Sequence, residues 1–245
     1  MSKVNKGLRD IFREVLFPGN IYCIGCGMPI KNEGGLSLCG ECRRKMLGGL
    51  PESCGRCGHF VRNKRTHFCG HCAAVPPVYD RGRAAVVYGK EAKKIIFALK
   101  YGGKGYLADN IAYIMTDAVK SMGDYDIIVP VPMHKSKKSS RGFCHTTLIS
   151  NKLGEITGKP VSGGNLVRIK KTGAMSGLSP EERRNNIRGA FEVRNGKEFA
   201  GKTVLLTDDL LTTGSTADEC AGVLLKAGAE KVYLAVFASP YENYD

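Results

Sequence analysis

Val204-Leu205-Leu206-Thr207-Asp208-Asp209-Leu210-Leu211-Thr212-Thr213-Gly214-Ser215-Thr216 decides the fold. An apolar run, expected as a buried strand over 203–207, meets two neighbouring carboxylates, and a turn of small hydroxyl residues and glycine then opens a helix expected over 215–227 and closed by Gly228. Such a turn lets backbone N–H groups and side-chain hydroxyls surround a phosphate at a helix N-terminus, where the helix dipole adds about 0.3–1 kcal/mol. Thr212, Thr213, Gly214, Ser215 and Thr216 are therefore the candidate phosphate cradle. A plainer reading makes Ser215 an N-cap with Asp218 completing a capping box, but it leaves the Asp208-Asp209 pair and the doubled threonine unexplained. A Walker loop or a dinucleotide fingerprint is disfavoured, because the stretch has no Gly-Lys-Ser/Thr and no Gly-x-Gly-x-x-Gly.

Outward from this stretch the chain alternates strand-like and helix-like periods. Strands are expected over 84–88, 127–131 and 232–237, with helices running to about Lys100, from about Tyr106, and over 142–153. This alternation predicts an α/β domain over 80–245 with a mainly parallel sheet covered on both faces.

Residues 21–75 have a different character. Four Cys-x-x-Cys units, Cys23/Cys26, Cys39/Cys42, Cys54/Cys57 and Cys69/Cys72, hold eight of the ten cysteines, and the first two recur about 30 residues later as an internal repeat. A two-residue spacer lets both sulfurs of a unit reach one ion, and two units complete a tetrahedral thiolate site. Two structural zinc ions are the expected cofactors; a chain kept reduced in the cytosol does not form disulfides, and redox chemistry does not need four copies. Sequential pairing of the units is favoured over a cross-braced arrangement that uses the same ligands. Gly25, Gly40, Gly55 and Gly70 lie within the units, where tight turns call for permissive backbone, and His59, His67 and His71 read as surface residues beside eight available thiolates. Cys144 and Cys220 read as small core residues.

Residues 1–20 place Val4, Leu8, Ile11, Phe12 and Val15 at helical spacing before Phe17-Pro18-Gly19. This predicts a short amphipathic helix whose apolar stripe packs on the protein's own body in preference to a membrane surface. Hydrophobic residues at 42% and charged residues at 24% exclude a disordered chain. With no apolar run near the roughly 20 residues that span a bilayer, and a polar N-terminus, a cytoplasmic protein without a transmembrane segment is expected. The formal charge is +14; eight zinc-bound thiolates and two zinc ions lower it to about +10. That surplus favours polyanionic partners without choosing among them.

Read together, these segments resemble the ComF family over nearly the whole length: a double zinc ribbon followed by a type I phosphoribosyltransferase domain. The stretch ending in Thr212-Thr213-Gly214-Ser215-Thr216 resembles that fold's binding motif for phosphoribosyl pyrophosphate. Leu99-Lys100-Tyr101-Gly102-Gly103, Val129-Pro130-Val131-Pro132 and Arg141-Gly142-Phe143 are similar to further family elements, and Arg168, Thr172, Leu178, Arg183, Asn186 and Phe191 fall where a basic loop and the strand after it stand. Two departures occur, Cys144-His145 where Asn-Gln is usual and Met175 where Gln is usual.

The resemblance implies Mg²⁺ with phosphoribosyl pyrophosphate as ligand. Asp208 and Asp209 would accept hydrogen bonds from the ribose hydroxyls and face a carbon that becomes cationic, as catalytic residues. Met133, His134, Lys135 and Ser136 would lie against the pyrophosphate. It also implies a role in uptake and handling of single-stranded DNA during natural transformation, with DNA-uptake proteins as partners. Lys135, Lys137, Lys138, Arg141, Phe143, Arg168, Lys170 and Lys171 are the nucleic-acid candidates, together with Arg62, Lys64 and Arg65. The alternative is a conventional phosphoribosyltransferase acting on a nucleobase or another nitrogen acceptor.

Overall fold

The computed structural model describes residues 21–31, 36–61, 68–136, 139, 142–172, 177 and 179–241. The expected N-terminal helix lies outside them, as do Arg62, Lys64, Arg65, His67, Lys137, Lys138, Arg141, Met175 and Leu178.

Four strands, β1 (Arg81–Val87), β2 (Ile127–Pro130), β5 (Thr203–Leu210) and β6 (Lys231–Ser239), form a sheet in the order β1-β6-β5-β2. Every pairing is parallel. A short hairpin of β3 (Leu166–Arg168) and β4 (Phe191–Val193) stands beside it. Because successive side chains of a strand point to opposite faces, Val204 and Leu206 of β5 pack with Ala217, Cys220 and Leu224 of α7 (Ser215–Lys226), whereas Leu205 packs against α4 (Leu107–Lys120) and α5 (His145–Thr157). Cys220 is thus the core residue expected, while Cys144 is only partly buried.

β5 is longer than expected: Asp208 and Asp209 do not follow the strand but sit inside it, on opposite faces. The helix expected over 142–153 starts later, at His145, and runs to Thr157 with Gly158 in the left-handed region at its end. Ser215 is not the N-cap of α7. Gly214, at φ 75°, takes that place, and Asp218 spends its carboxylate on the backbone N–H of Val78 at 2.8 Å instead of closing a capping box. A true capping box opens α6 (Pro180–Ile187), where Ser179 and Glu182 exchange hydrogen bonds. The remaining helix of this domain, α3 (Lys90–Tyr101), follows β1.

The two ribbons repeat one construction. After the first unit of each pair the chain turns through a left-handed glycine, Gly27 at φ 85° and Gly58 at φ 87°, so the permissive backbone falls just past the units and not within them. At the second unit of each pair a helix begins, α1 (Gly40–Leu47) with Cys39 as N-cap and α2 (Gly70–Ala74) with Cys69.

The second ribbon is built into the α/β core. Gly82 of β1 donates its backbone N–H to the Arg56 carbonyl at 2.7 Å, Tyr79 donates to the Cys57 carbonyl at 3.1 Å, and Phe60 bridges to Tyr241. His59 is not a plain surface residue: its Nδ1 lies 2.6 Å from the hydroxyl of buried Ser239. His71 is exposed, as expected. Where the two parts meet, glycine faces glycine. A Cβ on Gly82 would stand 2.2 Å from the Cys57 carbonyl oxygen, and one on Gly58 2.6 Å from the Gly82 carbonyl carbon. Gly82→Ala should therefore cost about 1–3 kcal/mol through overpacking, read as a lower urea midpoint at unchanged slope; a wild-type midpoint would show that this junction yields freely.

Candidate functional site

The eight cysteines form two clusters, Cys23, Cys26, Cys39 and Cys42 in one and Cys54, Cys57, Cys69 and Cys72 in the other, so the units pair sequentially. At a Zn–S distance of about 2.3 Å, a regular tetrahedron puts its sulfurs about 3.8 Å apart. The Sγ atoms of Cys26 and Cys39 are 3.8 Å apart and those of Cys57 and Cys69 are 3.6 Å apart. In both clusters the backbone N–H of the third cysteine donates to the first sulfur at 3.3 Å, a contact that suits a thiolate. The donor set fits two four-thiolate zinc sites, with every position filled by sulfur and none open for chemistry. Burial separates them: all four residues of the second cluster are buried, whereas Cys26 of the first is exposed.

The second site lies at the carboxyl edge of the sheet. β2 and β5 pair in parallel as far as Pro130 against Thr207, so both deliver their following loops to one edge, residues 133–136 after β2 and the 212–216 turn after β5. Parallel sheets bind ligands at that edge. α5 begins there too, anchored by Thr146, whose hydroxyl donates to the Val131 carbonyl at 2.8 Å, and by Ser150, whose hydroxyl is 2.6 Å from that of Thr207. These bonds fix His145 over the end of β5.

The two carboxylates have different surroundings. Asp209 is buried, with the Lys100 ammonium 2.6 Å from Oδ2 and His145 Nε2 3.4 Å from Oδ1. Burial alone would raise its pKa, but Lys100 and His145 outweigh that and hold the carboxyl below the usual range. Burial likewise opposes charge on Lys100, and Asp209 outweighs it, so the ammonium is held above its ordinary value. Asp208, partly exposed and on the other face, has no such partner strength: burial and the neighbouring Asp209 push its carboxyl well up. Its Oδ1 accepts from the Asp209 backbone N–H at 2.8 Å. Ligand atoms of His145, Asp208 and Asp209 all fall within 4.8 Å of one another. Two carboxylates with one imidazole are a donor set that could hold a hard divalent cation such as Mg²⁺.

In the turn, the α-helical geometry of α7 leaves its first N–H groups without intrahelical acceptors, the first intrahelical bond being Asp218 N–H to the Gly214 carbonyl at 2.9 Å. The Thr213 and Ser215 hydroxyls are 3.0 Å apart, and Thr212 is exposed and Thr216 partly so. In the neighbouring loop His134 Nδ1 lies 2.8 Å from the Ser136 hydroxyl, which ties the loop internally, with Met133 partly buried and Lys135 exposed.

The nucleic-acid candidates separate. Lys170 and Lys171 are exposed, the former donating to the Arg188 carbonyl at 3.1 Å. Arg168 is half-buried over the Phe191 ring, 5.5 Å from its centroid, and bonded to the Thr172 hydroxyl, which makes it part of the hairpin's packing. Phe143 packs partly against the core. Sequence reading missed the roles of Lys100 and His145. The signals were present, since Lys100 lies in a quoted element and His145 replaces a usual Gln, but their meeting with Asp209 is tertiary.

The family model for a double zinc ribbon domain matches residues 12–73, and that for a phosphoribosyl transferase domain matches residues 140–244. Competence protein F of Haemophilus influenzae (strain Rd) is 29% identical over 222 residues, which cover 87% of this chain and 94% of that protein. The chain thus joins a double zinc ribbon to a phosphoribosyl transferase domain and is similar to Competence protein F along most of its length. The DNA utilization protein YhgH of Salmonella typhimurium (strain LT2) is 27% identical over 218 residues, 86% of this chain and 93% of that protein. The Amidophosphoribosyltransferase of Escherichia coli (strain K12) is 32% identical over 114 residues, 46% of this chain but 20% of that protein. Among the described residues no helix is long and apolar enough to cross a membrane.

Proposed function

We propose that the α/β domain binds phosphoribosyl pyrophosphate with Mg²⁺ at the carboxyl edge of the sheet, and that the protein acts in the handling of incoming single-stranded DNA in the cytoplasm. The observation that carries the ligand reading is the convergence at one edge of the 212–216 turn, the 133–136 loop and the Asp208/Asp209 pair. In this reading the turn's N–H groups and hydroxyls hold the 5′-phosphate and the 133–136 loop with Lys135 faces the pyrophosphate; Mg²⁺, which His145, Asp208 and Asp209 would hold, would neutralise phosphate charge. Asp208 accepts from a ribose hydroxyl. Asp209, already committed to Lys100 and His145, supplies a fixed negative charge behind it. The DNA reading is supported by the similarity to Competence protein F and to YhgH, named for DNA utilization.

The test is Asp208→Asn. Asn keeps an oxygen for the Asp209 N–H but removes the titrating carboxyl. For a carboxyl raised in the fold, the contribution to stability is fully present below the unfolded value of about 3.9 and is lost as pH rises through the folded value. The variant should thus be more stable than wild type at pH 7, by about 0.5–2 kcal/mol, and no more stable than wild type near pH 3. Losing the carboxyl that receives the ribose hydroxyl should weaken phosphoribosyl pyrophosphate binding about tenfold or more. Unchanged affinity in a folded variant would remove Asp208 from the site.

A second reading, transfer of the phosphoribosyl group to a nitrogen acceptor, is favoured by the similarity to Amidophosphoribosyltransferase. Release of pyrophosphate on addition of an acceptor is its signature.

A further inference from the structure

α3 carries a row of side chains that neither the zinc ribbons nor the phosphoribosyl site uses. Lys93, Phe97 and Tyr101 follow at four-residue spacing and so share one helix face. Phe97 is 64% exposed, Tyr101 68%, and Tyr106 just past the following turn 61%. The Phe97 and Tyr101 rings stand 4.9 Å apart at 46°, so they present a joined aromatic surface to solvent. Scattered single exposed apolar residues are ordinary; two rings in contact and a third close by are a patch. The aliphatic residues of the same helix, Ile95, Ile96 and Leu99, are buried inward, so the exposed rings are not needed for its packing.

The charge on this face has one sign. Between Lys90 and Tyr106 there are five lysines and a single acid, Glu91. Lys100 is turned inward onto Asp209 and Lys94 donates to the Cys26 carbonyl at 2.9 Å. Lys90, Lys93 and Lys104 are exposed along the aromatic row. We infer that this face of α3, with the turn to Tyr106, is a binding track for single-stranded nucleic acid, its bases stacked on Phe97 and Tyr101 and its phosphates beside Lys90, Lys93 and Lys104. The inference rests on the DNA-handling part of the proposed function and supplies a ligand surface for it.

Three features select this ligand. Aromatic rings bind unpaired bases without regard to sequence, because every base has a π-face, and a positive groove tracks the backbone; a duplex hides those faces. Protein–protein interface cores are depleted in lysine, whereas here lysine alternates with the rings. The track also ends where Lys100 leaves α3 for Asp209, and Phe143 lies against the turn, its ring 3.8 Å from where a Cβ on Gly105 would be. The track thereby adjoins, through Lys100, the Asp208/Asp209 edge of the sheet.

The experiment is fluorescence anisotropy of a labelled oligothymidylate of about 20 nucleotides with the full chain, across a salt series. Phe97→Ala with Tyr101→Ala should weaken binding about 30-fold or more at unchanged salt slope, and Phe97→Tyr with Tyr101→Phe should retain it. Lys93→Gln with Lys104→Gln should lower the slope of log affinity against log salt by roughly 1.4. If wild-type protein does not bind the oligonucleotide, the DNA reading and the track fall together. If it binds and the alanine pair binds equally, the track is overturned while the DNA reading stands. Retention of full affinity by Phe97→Leu with Tyr101→Leu would overturn stacking. A change in self-association with unaltered oligonucleotide affinity would make the face a protein interface and likewise overturn the track.

Discussion

Cys69→Ser should leave one zinc per chain in place of two and melt the second ribbon together with the adjoining part of the α/β core. Cys69 is fully buried within the second cluster, and that cluster's neighbours belong to the sheet or lead into it: Gly82 on the Arg56 carbonyl, Arg83 on the Cys54 carbonyl, Tyr79 just before β1 on the Cys57 carbonyl and Ser239 on His59. Binding to structural sites of this kind is worth about 10–16 kcal/mol in small zinc peptides, as much as the whole stability of an ordinary domain, about 5–15 kcal/mol. The core cannot keep its packing when the ribbon pressed against it comes apart. Cys26→Ser removes a ligand from the exposed edge of the first cluster and should also cost one zinc, with a smaller fall in melting temperature. Native mass spectrometry counts the metal and circular dichroism follows the melt. A Cys69→Ser chain that holds two zinc ions, or melts with wild type, would refute the four-thiolate assignment.

Lys100→Met should be the most damaging change outside the zinc sites. Lys100 and Asp209 bury a contact of 2.6 Å with side chains only 23% and 5% exposed. Removing one partner of such a pair leaves an uncompensated buried charge and costs about 3–5 kcal/mol. The pH dependence carries a sign. Asp209 titrates below its unfolded value, so its stabilisation is present above the ordinary carboxylate range and lost as pH falls through the folded value. Without Lys100 that advantage disappears, and the carboxyl regains stability only by taking a proton. The deficit measured by urea unfolding should therefore be greatest near pH 8 and shrink towards pH 4, and adding Asp209→Asn should recover part of it at pH 8. A pH-independent deficit, or none, would mean that the pair does not govern Asp209.

How much was legible in the sequence depended on whether the signal was local. Ligand spacing placed all eight cysteines but left two pairing orders open, and the two clusters of the fold show the favoured, sequential one. The alternation of Val, Leu and Ile runs with helical periods was sufficient for a parallel sheet, and α7 and β6 came out close to their bounds. Errors arose where two local rules compete. Ser215 with Asp218 has capping-box spacing, yet Gly214 reaches a left-handed conformation that serine avoids and takes the cap itself. Asp208 and Asp209 looked like the end of a strand because carboxylates are rare inside one; Lys100 and His145 make Asp209 tolerable there, and neither partner is visible from sequence separation. The same pair changes how the acids are read. Replacing both together tests folding as well as binding, and only Asp208 can be neutralised without stranding a buried ammonium. The α3 track was hidden for a related reason: the aromatic count is modest, but two of the rings share one face outward.

The most direct measurement is calorimetric titration of the zinc-loaded protein with phosphoribosyl pyrophosphate, with and without Mg²⁺, beside inorganic pyrophosphate. The account predicts one saturable site per chain that needs Mg²⁺, prefers the sugar diphosphate to pyrophosphate alone, and is weakened in Asp208→Asn. Absence of saturable binding by the folded, zinc-loaded chain, or equal binding of pyrophosphate without the sugar, would contradict it.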